Sequence, residues 1–498
     1  MKKVDICCVI KFFVLIYNRF TIDKYGIEYE NGVFLIMENK NITNTAKLIL
    51  YIWNIGLFAL VWVFYYNAYT FQSFLTVGAI MSCIIYAFIY GFLCNLYQAF
   101  RIASTEITDT AFSQTIAFGV ADLILYVECC LIYNRYVNIW PGVTTALAQI
   151  LGTTFIIFMT KRYMVTHIIP RKTLLLYGKH VTREETEFFV ERLMRKYRHL
   201  FQVTRIEFDR MSRDELSVLL KDCEAVLLYE VSNDVRGKFM KLCTEEKKVL
   251  YFTPKIEDIL CQGSVEKNLL DTPLMKYEYQ YDSQRGYIGK RVLDLFMSCF
   301  LLILLAPLML ITAIAIKIED GGPVFFKQRR CTKDAKEFDI LKFRSMIVDA
   351  EKDGVTPCKG NDSRITKVGK VIRATRIDEL PQLINILSGD MSFVGPRPER
   401  IEHVEQYTKE LPEFTYRMRV KGGLTGYAQI YGKYNTSAYD KLRLDMMYIE
   451  NQCLLLDLKI ILLTFKTVFT PEATEGFSEE KSNAMKEKTA EAKSMQVE

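Results

Sequence analysis

Apolar positions fall into long unbroken runs in the first third of the chain and into shorter, interrupted patterns after it. The runs occupy 48–66, 71–97, 112–133 and 142–160, each long enough for the roughly 20 residues that cross a bilayer as a helix. They predict an N-terminal four-helix transmembrane bundle over 46–166, after an N-terminal segment 1–45. That segment has a short apolar stretch at 6–17 with no small-residue cleavage site behind it, so no cleaved signal peptide is expected. From about 171 to 280 the pattern changes. Strand-like runs at 173–177, 203–208, 225–229 and 249–252 alternate with charged helical segments such as 184–198 and 235–246. Strands alternating with helices predict a small parallel sheet, a Rossmann-like α/β module over 167–284. Its first turn, Tyr177-Gly178-Lys179-His180, holds one glycine where a dinucleotide fingerprint needs three, so a regulatory or spacer module fits better.

The remaining pattern predicts an α+β domain over 285–470. It begins with 22 residues without a charge, 295–316, which length alone makes a fifth span. Lys290 and Arg291 precede this run and Lys317, Lys327, Arg329 and Arg330 follow it, so both ends carry the signal for the same side of the membrane. Pro307 sits near the middle, where it removes a helix hydrogen bond and bends the chain. A re-entrant helix over 290–317, entering one leaflet and returning, satisfies both facts. Next come a strand, a turn and a strand, 324–326 and 338–343. The run 454–469, broken by Asp457, Lys459, Thr464, Lys466 and Thr467, is short for a span and predicts a helix lying in the interface. The polar stretch 471–498 predicts a disordered tail.

Composition refines this picture. Of 498 residues, 50% are hydrophobic and 24% charged, and the length suits three or four domains. The placement of the +6 net charge matters more than its size. The tip 67–70 has no Lys or Arg, whereas Lys161, Arg162, Arg171 and Lys172 crowd the end of the fourth run. The N-terminus and everything after 160 are therefore expected in the cytosol. No long basic stripe interleaves with aromatics, which argues against nucleic acid as a partner. The 13 cysteines include no Cys-x-x-Cys pair, so reduced, packing cysteines are expected and not a zinc site or disulfide frame. Asp122 and Glu128 are unusual inside a span, and pairing between helices is the simpler reading.

The chemistry concentrates in 372–398. Asp378 and Glu379 are adjacent, with Arg373 and Arg376 upstream and Arg397 framed by Pro396 and Pro398. Asp378 followed by Glu379, Leu380 and Pro381 can be read simply as a helix start, with an N-cap and a proline in the first turn. Three arginines around two carboxylates, however, favour a phosphate and metal site, because a guanidinium fork matches phosphate oxygens and a carboxylate can attack phosphorus or hold a metal. Surface pairing remains the simpler reading for Arg376. The four histidines are scattered and carry no chemistry.

Residues 286–470 resemble the bacterial sugar transferase family, the membrane-bound polyprenyl-phosphate phosphoglycosyl transferases. The matching blocks are Lys290-Arg291-Val-Leu-Asp294, Gly322 to Arg330, Leu341 to Met346, the whole of 372–398, Gly423-Leu-Thr425-Gly426-Tyr-Ala-Gln429 and Leu444-Asp445-Met-Met-Tyr448. The four spans and the α/β module resemble the large members that initiate exopolysaccharide, capsule or O-antigen synthesis. The resemblance implies that Asp378 attacks the β-phosphorus of a UDP-sugar, expelling UMP, and that polyprenyl phosphate then takes the sugar phosphate. It implies Mg²⁺ on Glu379, phosphates on Arg373 and Arg397, a bacterial inner-membrane location and a cytosolic catalytic domain. For Lys342 and Arg344 it leaves the nucleotide and an anionic lipid both open. A homodimer and polysaccharide-assembly proteins are compatible partners. A non-catalytic membrane scaffold and a lipid-diphosphate phosphohydrolase are the alternatives. The chain departs from the family at Lys421-Gly422-Gly423, where Pro-Gly is usual, and at Ala306-Pro307, where Ser-Pro is usual. Nothing in the sequence selects the sugar.

Overall fold

In the computed structural model the described residues are 40–67, 77–167, 170–278 without 180, 199, 208–219 and 221, then 284–348, 350, 362, 364–432 and 436–468. The apolar stretch 6–17, the tail 471–498, His180 and His199 lie outside the described residues. The chain divides into two compact units, one holding 169–253 and the other 38–168 with 254–498.

In the first unit, β1 (Arg171–Tyr177), β2 (Phe201–Glu207), β3 (Ala225–Tyr229) and β4 (Val249–Phe252) form a parallel sheet in the order β2-β1-β3-β4. The expected α/β rhythm is present. Leu174 and Leu176 face one core and Leu175 the other, as alternation along a doubly covered strand requires. Helix α1 (Arg183–Tyr197) follows the single-glycine turn. Thr182 accepts from the backbone N–H of Glu185, whose carboxylate accepts from the Thr182 N–H. The helix terminus that a dinucleotide phosphate would use is thus filled by its own cap.

The second unit has α2 (Lys40–Val61), continued by a π-helical turn Trp62–Asn67, with α3 (Val77–Leu96), α4 (Ile107–Tyr133) and α5 (Trp140–His167). These helices share a core that includes Leu50, Phe58, Tyr86, Phe118, Leu125 and Ile157. With the later α6 (Gln284–Asp320), five helices among the described residues are long and apolar enough to cross a membrane, which makes this a multi-pass membrane protein.

The rest of the second unit is the α/β region. It comprises β5 (Phe325–Cys331) paired antiparallel with β6 (Glu337–Phe343), α7 (Lys367–Ala374), α8 (Gln382–Ser388), β7 (Met391–Val394), α9 (Ile401–Glu410), β8 (Gly422–Thr425), α10 (Tyr427–Tyr431), α11 (Ala438–Glu450) and α12 (Leu454–Val468). β7 and β8 pair in parallel. One core joins Leu383, Ile386, Met391, Phe393, Leu442, Met446 and Ile460, and Ile256 and Ile259 enter it as well.

Both ends of α6 are fastened to this region. At the first end, Lys290 Nζ donates to Val394 O (2.9 Å) and Tyr448 Oη (2.9 Å) and pairs with Asp457 (2.7 Å). The Arg291 guanidinium donates to the carbonyls of Ile386 (2.6 Å) and Leu387 (2.8 Å), the open C-terminal end of α8, where a cation is favoured. At the other end, the Glu319 carboxylate accepts from the Lys367 N–H (2.7 Å) at the start of α7, and Asp320 makes a bidentate pair with Arg344. Ile316 packs with Phe343 and Ile372. Pro307 lies inside the helix between these anchors.

The Lys290–Asp457 pair is almost fully buried, so breaking it strands a charge. Lys290→Met should destabilise the detergent-solubilised protein by about 3–5 kcal/mol. A Lys290→Met/Asp457→Leu double variant should recover most of that loss in thermal unfolding. Additive losses in the double variant would show that the two side chains do not act as a pair.

Candidate active site

The segment 372–379 forms a tight reversal. α7 ends at Ala374, and Arg376 adopts φ 56°, ψ 19° in the left-handed region, which a non-glycine residue occupies only when its surroundings hold it there. A 3₁₀ turn, Ile377–Glu379, follows, with Pro381 as the cap of α8. Asp378 is therefore not the N-cap of a helix. Neither it nor Glu379 makes a side-chain capping bond, and both carboxylates are left for other work.

Glu379 is one of the strongest electrostatic nodes in the molecule. Its Oε1 accepts from Lys342 Nζ (2.9 Å) and from the Arg397 guanidinium (2.5 Å). Burial works to raise its pKa, but the charges of Arg397 and Lys342 outweigh that and hold it well below the usual carboxylate range. Lys342 is shifted down by burial, against the pull of Glu379. Asp378 behaves differently. Its carboxylate makes no hydrogen bond among the described residues, and burial raises its pKa despite the lowering charges of Lys342, Arg373 and Arg397. One carboxylate is thus locked as an anion, while its neighbour stands unligated in a field of cations.

Arg397 is held by its backbone more than by its side chain. The Pro396 carbonyl accepts from the Gly423 N–H (2.9 Å), that of Arg397 from Arg417 (3.0 Å) and that of Pro398 from Arg330 (3.1 Å). The two prolines need no donors of their own. The approach is so close that a Cβ on Gly423 would lie 2.1 Å from Gly395 N, and one on Gly426 2.2 Å from Gly395 O. Only glycine fits either position. Arg417 is fixed in turn by Asp445 (Nε to Oδ2, 3.0 Å) and Glu399 (3.5 Å). Arg330, behind the loop, is pushed down to about 10 by burial first and by the charge of Arg397 second. Where the family usually has proline, the Gly422 N–H donates to Thr332 Oγ1 (3.0 Å), which donates to Asp390 O (2.9 Å). Thr332 thereby ties down the loop that the missing proline would have stiffened.

The structure brings together Asp378, Glu379, Lys342, Arg373 and Arg397, with Pro396 and Pro398 as the frame. Arg344 is committed elsewhere. Besides Asp320 it donates from Nε to Pro323 O (2.7 Å), so it fastens the end of α6. Pro307 lies in α6 and outside this cluster. Sequence reasoning gave Arg417, Arg330, Glu399 and Asp445 no role in this site, although Arg330 and Asp445 fall inside blocks that resemble the family. For Asp445 the signal is a charge interrupting an apolar stretch, Leu444-Asp445-Met446-Met447, and the structure buries it.

The family model described as bacterial sugar transferase matches residues 285–471. Among curated relatives, a UDP-N-acetylgalactosamine-undecaprenyl-phosphate N-acetylgalactosaminephosphotransferase of Aeromonas hydrophila is 35% identical over 55% of this chain and 65% of its own length. A UDP-glucose:undecaprenyl-phosphate glucose-1-phosphate transferase of Caulobacter vibrioides is 42% identical over 37% of this chain and 71% of its own. The exopolysaccharide production protein PSS of Rhizobium leguminosarum is 39% identical over 38% of this chain and 96% of its own. The chain thus spans just under two thirds of the first relative and nearly all of the third. The matched residues 285–471 carry the carboxylate pair, the paired cations and the Gly-Pro-Arg-Pro loop, and this chain belongs to the bacterial sugar transferase family.

Proposed function

We propose that the protein transfers a sugar 1-phosphate from a UDP-sugar to polyprenyl phosphate, undecaprenyl phosphate in a bacterial inner membrane, and so starts a surface polysaccharide. The observation that carries this reading is the unlike pair of carboxylates. Asp378 is unbonded and half-buried, and Glu379 is fixed as an anion between Lys342 and Arg397.

In the first step an Asp378 oxygen attacks the β-phosphorus of the UDP-sugar. A carboxylate–phosphorus bond forms, the bond from that phosphorus to the bridging oxygen breaks, and UMP leaves with that oxygen. In the second step an oxygen of the lipid phosphate attacks the same phosphorus and Asp378 departs, leaving polyprenyl-diphosphate-sugar. Neither attack succeeds unless the repulsion between anions is offset. Arg397, held rigidly by its three carbonyl anchors, and Arg373, beside Asp378, supply fixed positive charge where the phosphates must lie. The left-handed Arg376 keeps the Asp378 turn in place without using the carboxylate itself.

The donor set also suits Mg²⁺, which commonly takes one or two carboxylates and completes its shell with substrate phosphates and water. Glu379 Oε2 carries no hydrogen bond among the described residues, and Asp378 is adjacent. Glu379 would hold the ion, which when bound offsets diphosphate charge and eases departure of UMP.

Two observations support a re-entrant α6 over a fifth crossing. Its two ends are bonded to the same α/β region, and Pro307 lies between them. The catalytic region would then rest on the cytosolic face, with α12 along the interface, where a lipid phosphate and a soluble nucleotide meet. Relatives are named for glucose and for N-acetylgalactosamine, so the sugar is the variable to test.

The test is UMP release from a panel of UDP-sugars, with undecaprenyl phosphate and Mg²⁺. Release with one donor, abolished by EDTA and lowered about a thousandfold or more in Asp378→Asn, is the expected result. Undiminished release in that variant, or phosphate release from polyprenyl diphosphate without any UDP-sugar, would overturn it. A second prediction concerns pH. Lys342→Met removes a charge that keeps Asp378 ionised, so the acid limb of kcat/KM should move to higher pH by about one unit. An unmoved limb would mean that Asp378 is not the titrating group.

A further inference from the structure

The four-helix core α2–α5 is threaded by buried polar side chains, and almost all of them are matched. Asn54 Nδ2 donates to Tyr90 Oη (2.9 Å), and Tyr90 donates to Gln114 Oε1 (2.6 Å). Gln114 Nε2 donates to Ala99 O (2.9 Å) in the loop after α3. Thr153 donates to Asn54 Oδ1 (3.3 Å). Gln149 Nε2 donates to both Asn54 O (3.2 Å) and Tyr86 Oη (3.0 Å). Among the described residues of the bundle, three buried side-chain polar atoms have no partner: Asp122 Oδ1, Asp122 Oδ2 and Gln149 Oε1. Gln149 is completely buried, and both it and Tyr86 neighbour the Asp122 carboxyl.

All three unmatched atoms are acceptors. Near the middle of a membrane helix such a surplus is costly, and a carboxylate without a counter-cation more so. The surrounding helices supply no counter-cation. Residues 48–67, 77–96, 107–133 and 140–160 contain no Lys, Arg or His. The other ionisable groups in those stretches are Asp109, Glu128, tyrosines and cysteines, and none of these is cationic.

We propose that the core of the four-helix bundle is a proton-binding site, with Asp122 the residue that takes the proton and Gln149 and Tyr86 the groups that hold it. A single proton satisfies every unmatched atom. The protonated Asp122 hydroxyl donates to Gln149 Oε1. Tyr86, whose oxygen already accepts from Gln149 Nε2, turns its own hydrogen to the second Asp122 oxygen. No bond in the existing network has to break. The site belongs to the bundle and does not depend on the chemistry proposed for Asp378.

The experiment uses full-length protein in lipid nanodiscs. Infrared difference spectra should show a protonated carboxyl C=O band at neutral pH that shifts in deuterium oxide and disappears in Asp122→Asn. Thermal unfolding from acidic to alkaline pH gives the second readout. A proton bound only in the folded state stabilises until pH strips it. The wild type should therefore lose stability relative to Asp122→Asn as pH rises. The variant should match the wild type at acidic pH and exceed it from neutral pH upward, because its amide also donates to Gln149 Oε1 without needing a proton, whereas Asp122→Leu should be less stable than Asp122→Asn at every pH. If Asp122→Asn does not fold, Asp122→Glu should move the band. An unchanged spectrum in the variants, Asp122→Asn as damaging as Asp122→Leu, or stabilisation of the wild type by sodium over choline at fixed pH would each overturn the proposal. The last would assign the site to a metal cation.

Discussion

Glu379 Oε1 is where a strand, a turn and a loop far apart in sequence are brought to a point. Lys342 comes from β6, Arg397 from the Gly-Pro-Arg-Pro loop, and each would repel the other without the anion between them. Lys342 and Glu379 are largely withdrawn from solvent while Arg397 stays partly exposed, so water screens the trio only in part and its charges keep fixed directions. A short reversal then sets Asp378 beside that field without tying it down. A locked anion next to an unbonded one is what a carboxylate nucleophile needs when its target is a phosphate. The rest of the region can be understood as support for that contact. Gly423 and Gly426 let β8 and the loop approach backbone to backbone, and Arg417 and Arg330 hold the loop from behind.

A second constraint is the anchoring of α6. An apolar helix of 37 residues has no reason of its own to return to the domain it left. It is held by charge pairs at both ends, and the buried Lys290–Asp457 pair with its Tyr448 hydroxyl ties α6 to α12. Buried pairs of this kind add little net stability but are expensive to break. They set which element sits where, and here they keep both ends of α6 against the α/β region.

Much of this was legible along the chain. Apolar runs located the long helices, because crossing a bilayer demands an unbroken stretch of low polarity. Strand-like runs between helical segments located β1, β3 and β4 to within a few residues, and the density of charge at 372–398 pointed to the candidate site. Pairings that span long stretches of sequence were not legible. Nothing local shows that Asp457, which interrupts an otherwise apolar helix, is the buried partner of Lys290 167 residues earlier. Arg344 sits two residues from Lys342 and carries the same charge, yet it pairs with Asp320 because the end of α6 passes there. The loop at Gly422 illustrates the same limit. A missing proline reads as lost rigidity until Thr332, from another element, is seen to hold the freed N–H.

The central claim is that Asp378 carries the sugar phosphate between two separate half-reactions. It is tested most directly by mixing the protein with its UDP-sugar and Mg²⁺ in the absence of polyprenyl phosphate, quenching rapidly and analysing peptides by mass spectrometry. The account predicts a sugar-phosphate adduct on the peptide containing Asp378, absent in Asp378→Asn and discharged when undecaprenyl phosphate is added. Turnover that requires both substrates at once, with no adduct at any quench time, would contradict it and point to direct transfer between nucleotide and lipid.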